Sequence, residues 1–106
     1  MTGVQTCALP ISEIVDAFLD EAPRRLAELR RGVDEDDAVL AGRAAHTLKS
    51  NSGTFGAIEL VSLCRRLEVA ARANDLAGSA DLLDAVDAQC TLVSKELTAL
   101  RDGGQL

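Results

Sequence analysis

A chain of 106 residues with a net charge of −6 holds one domain, and that charge argues against a nucleic-acid partner, since phosphate binding needs a basic face. Hydrophobic residues make up 47% of it, yet only Phe18 and Phe55 are aromatic, so alanine and leucine must pack helix against helix rather than build a sheet. No apolar run nears the ~20 residues that span a bilayer, and residues 1–12 lack the basic start and apolar centre of a signal peptide, which predicts a soluble cytoplasmic domain.

Residues 1–12 carry no charge, contain Pro10 and follow no sustained period. They resemble a translated adaptor or junction and are set aside from the functional argument; a short helix capping the domain is their other reading. From Ser12, a potential cap, Ile14, Val15, Phe18, Ala22, Leu26, Leu29 and Val33 recur at three- and four-residue steps and predict a first helix. Pro23 inside that run predicts a kink or break near residues 19–23. Gly32 is the expected stop.

Asp34-Glu35-Asp36-Asp37 would cap a second helix and supply its first-turn carboxylates; cation binding is the less economical reading. At about 100° per residue, with His46 at zero, Gly42 and Ser50 fall near about 40° to either side, and Lys49 and Arg43 near about 60°. Ala41, Ala44 and Leu48 land roughly 140–160° away. The only histidine therefore stands on the polar face, between small residues. This helix should end between Asn51 and Gly53.

A third helix is expected from Phe55 or Gly56, with Leu60, Leu63, Cys64, Leu67, Ala70 and Ala71 inside. Glu68 and Arg72 read as an ordinary i,i+4 pair. Ile58 and Val61 lie off the apolar stripe, either as a docking surface or against the first helix. The fourth helix, capped by Ser79 or Asp75, carries Leu76, Ala80, Leu83, Val86, Cys90, Val93, Leu97 and Leu100 as a continuous seam. Short turns between four amphipathic helices predict an all-α, antiparallel up-down four-helix bundle over residues 13–102, with 103–106 as a tail.

Three cysteines without a C-x-x-C pair give no thiol cluster; Cys64 and Cys90 read as small core hydrophobes. One histidine supplies neither a zinc site nor the Glu-x-x-His pairs of a ferritin-like di-metal centre, so no metal site is expected.

The run His46, Leu48, Lys49, Ser52, Phe55 and Gly56, continuing through Leu60, Cys64, Leu67 and Glu68, resembles the signature of histidine-containing phosphotransfer (HPt) domains. Phe18-Leu19 and Pro23-x-x-Leu26 are similar to that family's first helix, so the likeness covers roughly residues 13–101. Ser50, where glycine is frequent in the family, and Asn51 depart from the pattern, which implies slightly altered contacts with partners.

The resemblance implies that His46 accepts a phosphoryl group from a response-regulator receiver domain and passes it to another. Imidazole titrates near about pH 6.5 when unperturbed, so a neutral nitrogen is available to attack an aspartyl phosphate. Lys49, one turn away, would stabilise the phosphoryl oxygens, with Arg43 as a second cation. Gly42, Ser50, Gly53 and Gly56 would leave room for the receiver, and Ile58 and Val61 would face it. No nucleotide-binding loop is present in the sequence, and the chain is expected to lack a second acid–base group near His46. The receiver would then bring the magnesium ion, and the domain would not phosphorylate itself from ATP. A hybrid histidine kinase, in cis or in trans, would stand upstream, and the domain would act as a monomer. The rival reading is a helical module that binds a receiver or kinase without transferring phosphate.

Overall fold

The computed structural model of the chain describes residues 11–104, and the segment 1–10 lies outside them. Four helices follow one another: α1 (Ile11–Asp34), α2 (Ala38–Gly53), α3 (Ile58–Arg72) and α4 (Ala80–Asp102). Consecutive helices pack together and α1 packs on α4, with the diagonal pairs farther apart. Ion pairs fix the antiparallel sense of α1 and α4, with Arg101 bonded to Asp16 at 2.7 Å and Arg30 to Asp87 at 3.1 Å. The architecture is the expected all-α up-down bundle.

α1 begins at Ile11, so Ser12 lies inside the helix rather than capping it. Its apolar stripe buries Val15, Phe18, Ala22 and Leu29. Pro23 removes one backbone hydrogen bond, but its ring is exposed and the helix runs through it without a break. Gly32 does not stop the helix, which continues to Asp34. It is buried against α2, and a Cβ there would sit 2.7 Å from the Ala41 backbone nitrogen and 2.9 Å from its Cα. Its lack of a side chain is what lets the two helices touch.

The chain reverses by one repeated device. Asp36, Gly56 and Asn74 each adopt the left-handed conformation, with φ of 56°, 68° and 55°. After each, the next amide reaches back five residues: Asp37 to Gly32 at 2.7 Å, Ala57 to Ser52 at 3.2 Å, Asp75 to Ala70 at 2.9 Å. These are Schellman closures, which satisfy the last carbonyls of α1, α2 and α3. They also correct two expected boundaries. The acidic run 34–37 lies mostly in the turn, and only Asp37 caps α2, accepting from the Leu40 amide at 3.1 Å. α3 starts at Ile58 rather than at Phe55 or Gly56, because the left-handed Gly56 cannot belong to a right-handed helix. Gly56→Ala is expected to cost about 1 kcal/mol by strain alone. A Cβ there would meet nothing within 4 Å, so the thermal midpoint should fall without any repacking.

The core joins Val15, Phe18, Leu29, Leu48, Leu60, Leu67, Leu83 and Val86 with the alanines of α2. Phe18 and Phe55 meet edge to face at 5.5 Å, closing the end of the bundle near the α2–α3 turn. α4 buries Leu83, Val86, Cys90 and Leu97, whereas Ala80 and Leu100 are exposed and Leu76, expected on this helix, is buried from the turn before it. Cys64 and Cys90 are buried, and burial pushes their thiols up to about 12 and about 11. They act as core hydrophobes.

Candidate functional site

α2 buries Ala41, Ala44, Ala45, Leu48 and Ser52. That choice of face turns His46 outward, and its side chain is 61% exposed. One ring nitrogen is nevertheless committed: Nδ1 lies 2.8 Å from Oε2 of Glu68, on α3. The other carboxylate oxygen, Oε1, accepts from Lys49 Nζ at 2.6 Å. Imidazole and ammonium thus meet on the two oxygens of a single carboxylate. Arg72 adds a longer contact to Oε2 at 3.3 Å.

Glu68 is itself only 11% exposed. The hydrogen bond from Lys49 holds its carboxyl below the usual carboxylate range, and the one from His46 acts in the same direction, against the opposing effect of burial. An ionised carboxylate only accepts hydrogen bonds, so Nδ1 must carry the hydrogen. Nε2 is then left with its lone pair directed away from Glu68. This is the logic of an oriented base in a catalytic triad, with a carboxylate fixing tautomer and ring orientation together.

The remaining residues singled out from sequence divide into two groups. Gly42 and Arg43 join His46, Val39, Thr47 and Arg25 around an open groove of about 740 Å³. Gly42 also serves packing, since a Cβ there would stand 3.3 Å from the Ala71 Cβ of α3. Ser50, Gly53, Gly56, Ile58 and Val61 lie toward the α2–α3 turn and do not line that groove. Ser50 is exposed, and its carbonyl accepts a long 3.4 Å bond from Thr54. Ile58 is 80% exposed, while Val61 is half-buried, facing Gly53 at 4.0 Å from where a Cβ would be. Among the described residues no group of three or more His, Cys, Asp or Glu side chains is placed to hold a metal. No helix among them is long and apolar enough to cross a membrane.

The expectation that no carboxylate stands beside His46 is wrong, and Glu68 is the residue it missed. Reading Glu68 with Arg72 as a surface pair looked along α3 when the short bonds run across to α2. A signal was present: Glu68 sits in register with Leu60, Cys64, Leu67 and Ala71, a charge at the edge of an inner stripe. A buried carboxylate demands partners.

Because the carboxylate is held below its ordinary value of 4.5, its contribution to stability is present above that pH. It is lost as pH falls through the depressed native value, where the bonds to Lys49 and His46 give way. Melting curves from pH 6 downward should show this acid-sensitive component, counted in about one proton. In Glu68→Gln that component should vanish; an unchanged acid limb would contradict the buried ionised carboxylate.

A family model described as Hpt domain matches residues 13–103. The chain is 29% identical over 107 residues to the chemotaxis protein CheA of Rhizobium meliloti (strain 1021), covering 91% of this chain but only 14% of that relative's length. It superposes on the crystal structure of histidine-containing phosphotransfer protein B (HptB) from Pseudomonas aeruginosa PAO1 with a TM-score of 0.81. That match is 25% identical and covers 86% of this chain and 79% of the other.

Proposed function

The chain belongs to the Hpt domain family, the histidine phosphotransfer modules of phosphorelays, and on that premise we propose that His46 is the residue that carries the phosphoryl group. One observation supports this most: the ring is exposed while its Nδ1 is held by Glu68, so Nε2 alone faces a partner with a free lone pair. In the proposed step Nε2 attacks the phosphorus of a receiver's aspartyl phosphate. The N–P bond forms as the P–O bond to aspartate breaks, and the aspartate leaves as a carboxylate. No proton moves. The ring becomes a phosphorylated imidazolium that keeps its hydrogen on Nδ1, and the charge of Glu68 stabilises it.

Lys49 stands beside that carboxylate and brings a cation to the phosphoryl oxygens. The magnesium ion stays with the receiver. The carrier is a phosphorylated intermediate rather than a kinase, works in the cytoplasm, and acts as a monomer that meets its partners in turn. The same step run backwards hands the group to a second receiver.

To test the reading, the protein is incubated with receiver domains phosphorylated by acetyl phosphate. Acid-labile, base-stable label should appear on this chain. Absence of such label with every receiver, under conditions where the receivers stay phosphorylated, would overturn it.

A further inference from the structure

The charges of this domain are sorted by helix. From Ala38 to Arg72, the α2–α3 hairpin holds five basic residues against two acidic ones, a net charge of +3. The rest of the chain holds six against fifteen, a net charge of −9. One of the hairpin's two carboxylates, Glu68, is already spent on His46, Lys49 and Arg72.

The arginines follow the same division. All four on α1 are paired with carboxylates: Arg24 with Asp20, Arg25 with Glu21 and Glu28, Arg30 with Asp87, Arg31 with Glu35. Arg101, on α4, is paired with Asp16 and Asp102. Among the described residues, Arg43, Arg65 and Arg66 join no ion pair, although carboxylates outnumber cations in this protein. All three belong to the hairpin that carries His46, and all are exposed.

Their directions separate them. Arg43 lines the groove beside His46. On α3, Arg65 lies about 60° around the axis from Glu68 and Arg72 about 40°, on the same outward side. Arg66 lies about 160° away, in the cleft toward α4 with Asp75 and Asp81. Val39, 67% exposed, also lines the groove beside His46.

We propose that Arg43 and Arg65 form an electrostatic docking surface for an acidic face of the receiver domain, which they steer onto His46. The inference rests on the phosphotransfer reading and adds the charge of the partner to it. The occupant follows from complementarity: the incoming group is a phosphoryl anion on a carboxylate, and on the side of its target Arg43 and Arg65 are cations this fold leaves without a carboxylate. Fields of this kind act on encounter rather than on chemistry, speeding association and weakening steeply with salt.

The test uses whichever receiver labels the wild-type chain and measures the second-order transfer rate and the rate at saturating receiver. Raising salt from about 0.1 M to about 1 M, which cuts the Debye length from about 10 Å to about 3 Å, should slow the second-order rate about tenfold. Arg43→Glu with Arg65→Glu should lower that rate about tenfold at low salt and flatten its salt dependence, and Arg65→Glu alone should leave the saturated rate within about twofold. Lys95→Glu, a single charge reversal on α4 beside Pro23 and Leu26 of α1, controls for net charge against Arg65→Glu alone. Arg65→Glu should slow association markedly more than Lys95→Glu. Equal losses in those two variants, or a second-order rate indifferent to salt, would overturn the docking surface while leaving phosphotransfer to His46 intact. Melting temperatures of all variants check that the fold is retained.

Discussion

The His46→Gln variant is expected to take up no acid-labile, base-stable label from a phosphorylated receiver, a loss of about 10³-fold or more, while melting within a degree or so of the parent. Two features make that combination informative. The imidazole is 61% exposed, so removing it opens no core cavity. Glutamine keeps a polar group that can still donate to Glu68, so the carboxylate is not left buried and unpartnered. Loss of label then reports the missing nitrogen nucleophile and not a damaged bundle. Glu68→Gln should behave differently. It keeps the shape but loses the charge, and a hydrogen bond to a charged group is worth about 1.5–3 kcal/mol. Transfer to His46 should slow by about 10- to 100-fold without disappearing. Should His46→Gln take up as much label as the parent, the phosphoacceptor lies elsewhere and the role given to Glu68 goes with it.

Gly32→Ala is expected to destabilise the domain by about 2 kcal/mol, although alanine is the better helix former by about 1 kcal/mol. The new Cβ would stand 2.7 Å from the Ala41 nitrogen and 2.9 Å from the Ala41 Cα. Those atoms belong to the backbone of α2 and cannot rotate aside, so α1 and α2 must separate. For a domain of this size the thermal midpoint should drop by about 10 °C. Gly53→Ala supplies the contrast. Its Cβ would make only ordinary contact, 4.0 Å from Val61, near the end of α2. Equal midpoints for Gly32→Ala and the parent would mean that the two helices do not approach as closely as described. Because α2 carries His46, a shift of that helix should also loosen the bond to Glu68 and slow transfer.

Much of the fold was legible in the residues. The three- and four-residue spacings of Val15, Phe18, Ala22 and Leu29, and of Leu83, Val86, Cys90 and Leu97, are local facts that survive into the core. The exposure of His46 follows from Ala41, Ala44 and Leu48 opposite it on one helix. The errors fell where spacing carries no information. Asp36 adopts positive φ without being glycine, and with it α1 runs on to Asp34 and α2 begins only at Ala38. Gly32 read as a helix stop because glycine usually is one, whereas here it is a contact point. The α4 seam looked continuous because periodicity does not say which of its positions a neighbouring helix covers.

The sequence by itself determined four amphipathic helices, their order, and an imidazole left on the polar side of the second. It also set which helices are basic, since that is a matter of counting. Tertiary structure alone decided that Glu68 meets His46 and Lys49, partners 22 and 19 residues away. The reason is geometric. A helix fixes the direction of each side chain about its own axis, but a contact between helices depends on their offset and separation. Here the small residues Gly42 and Ala71 meet across α2 and α3 and allow a close separation. The ring's direction is local; its tautomer belongs to the docked pair.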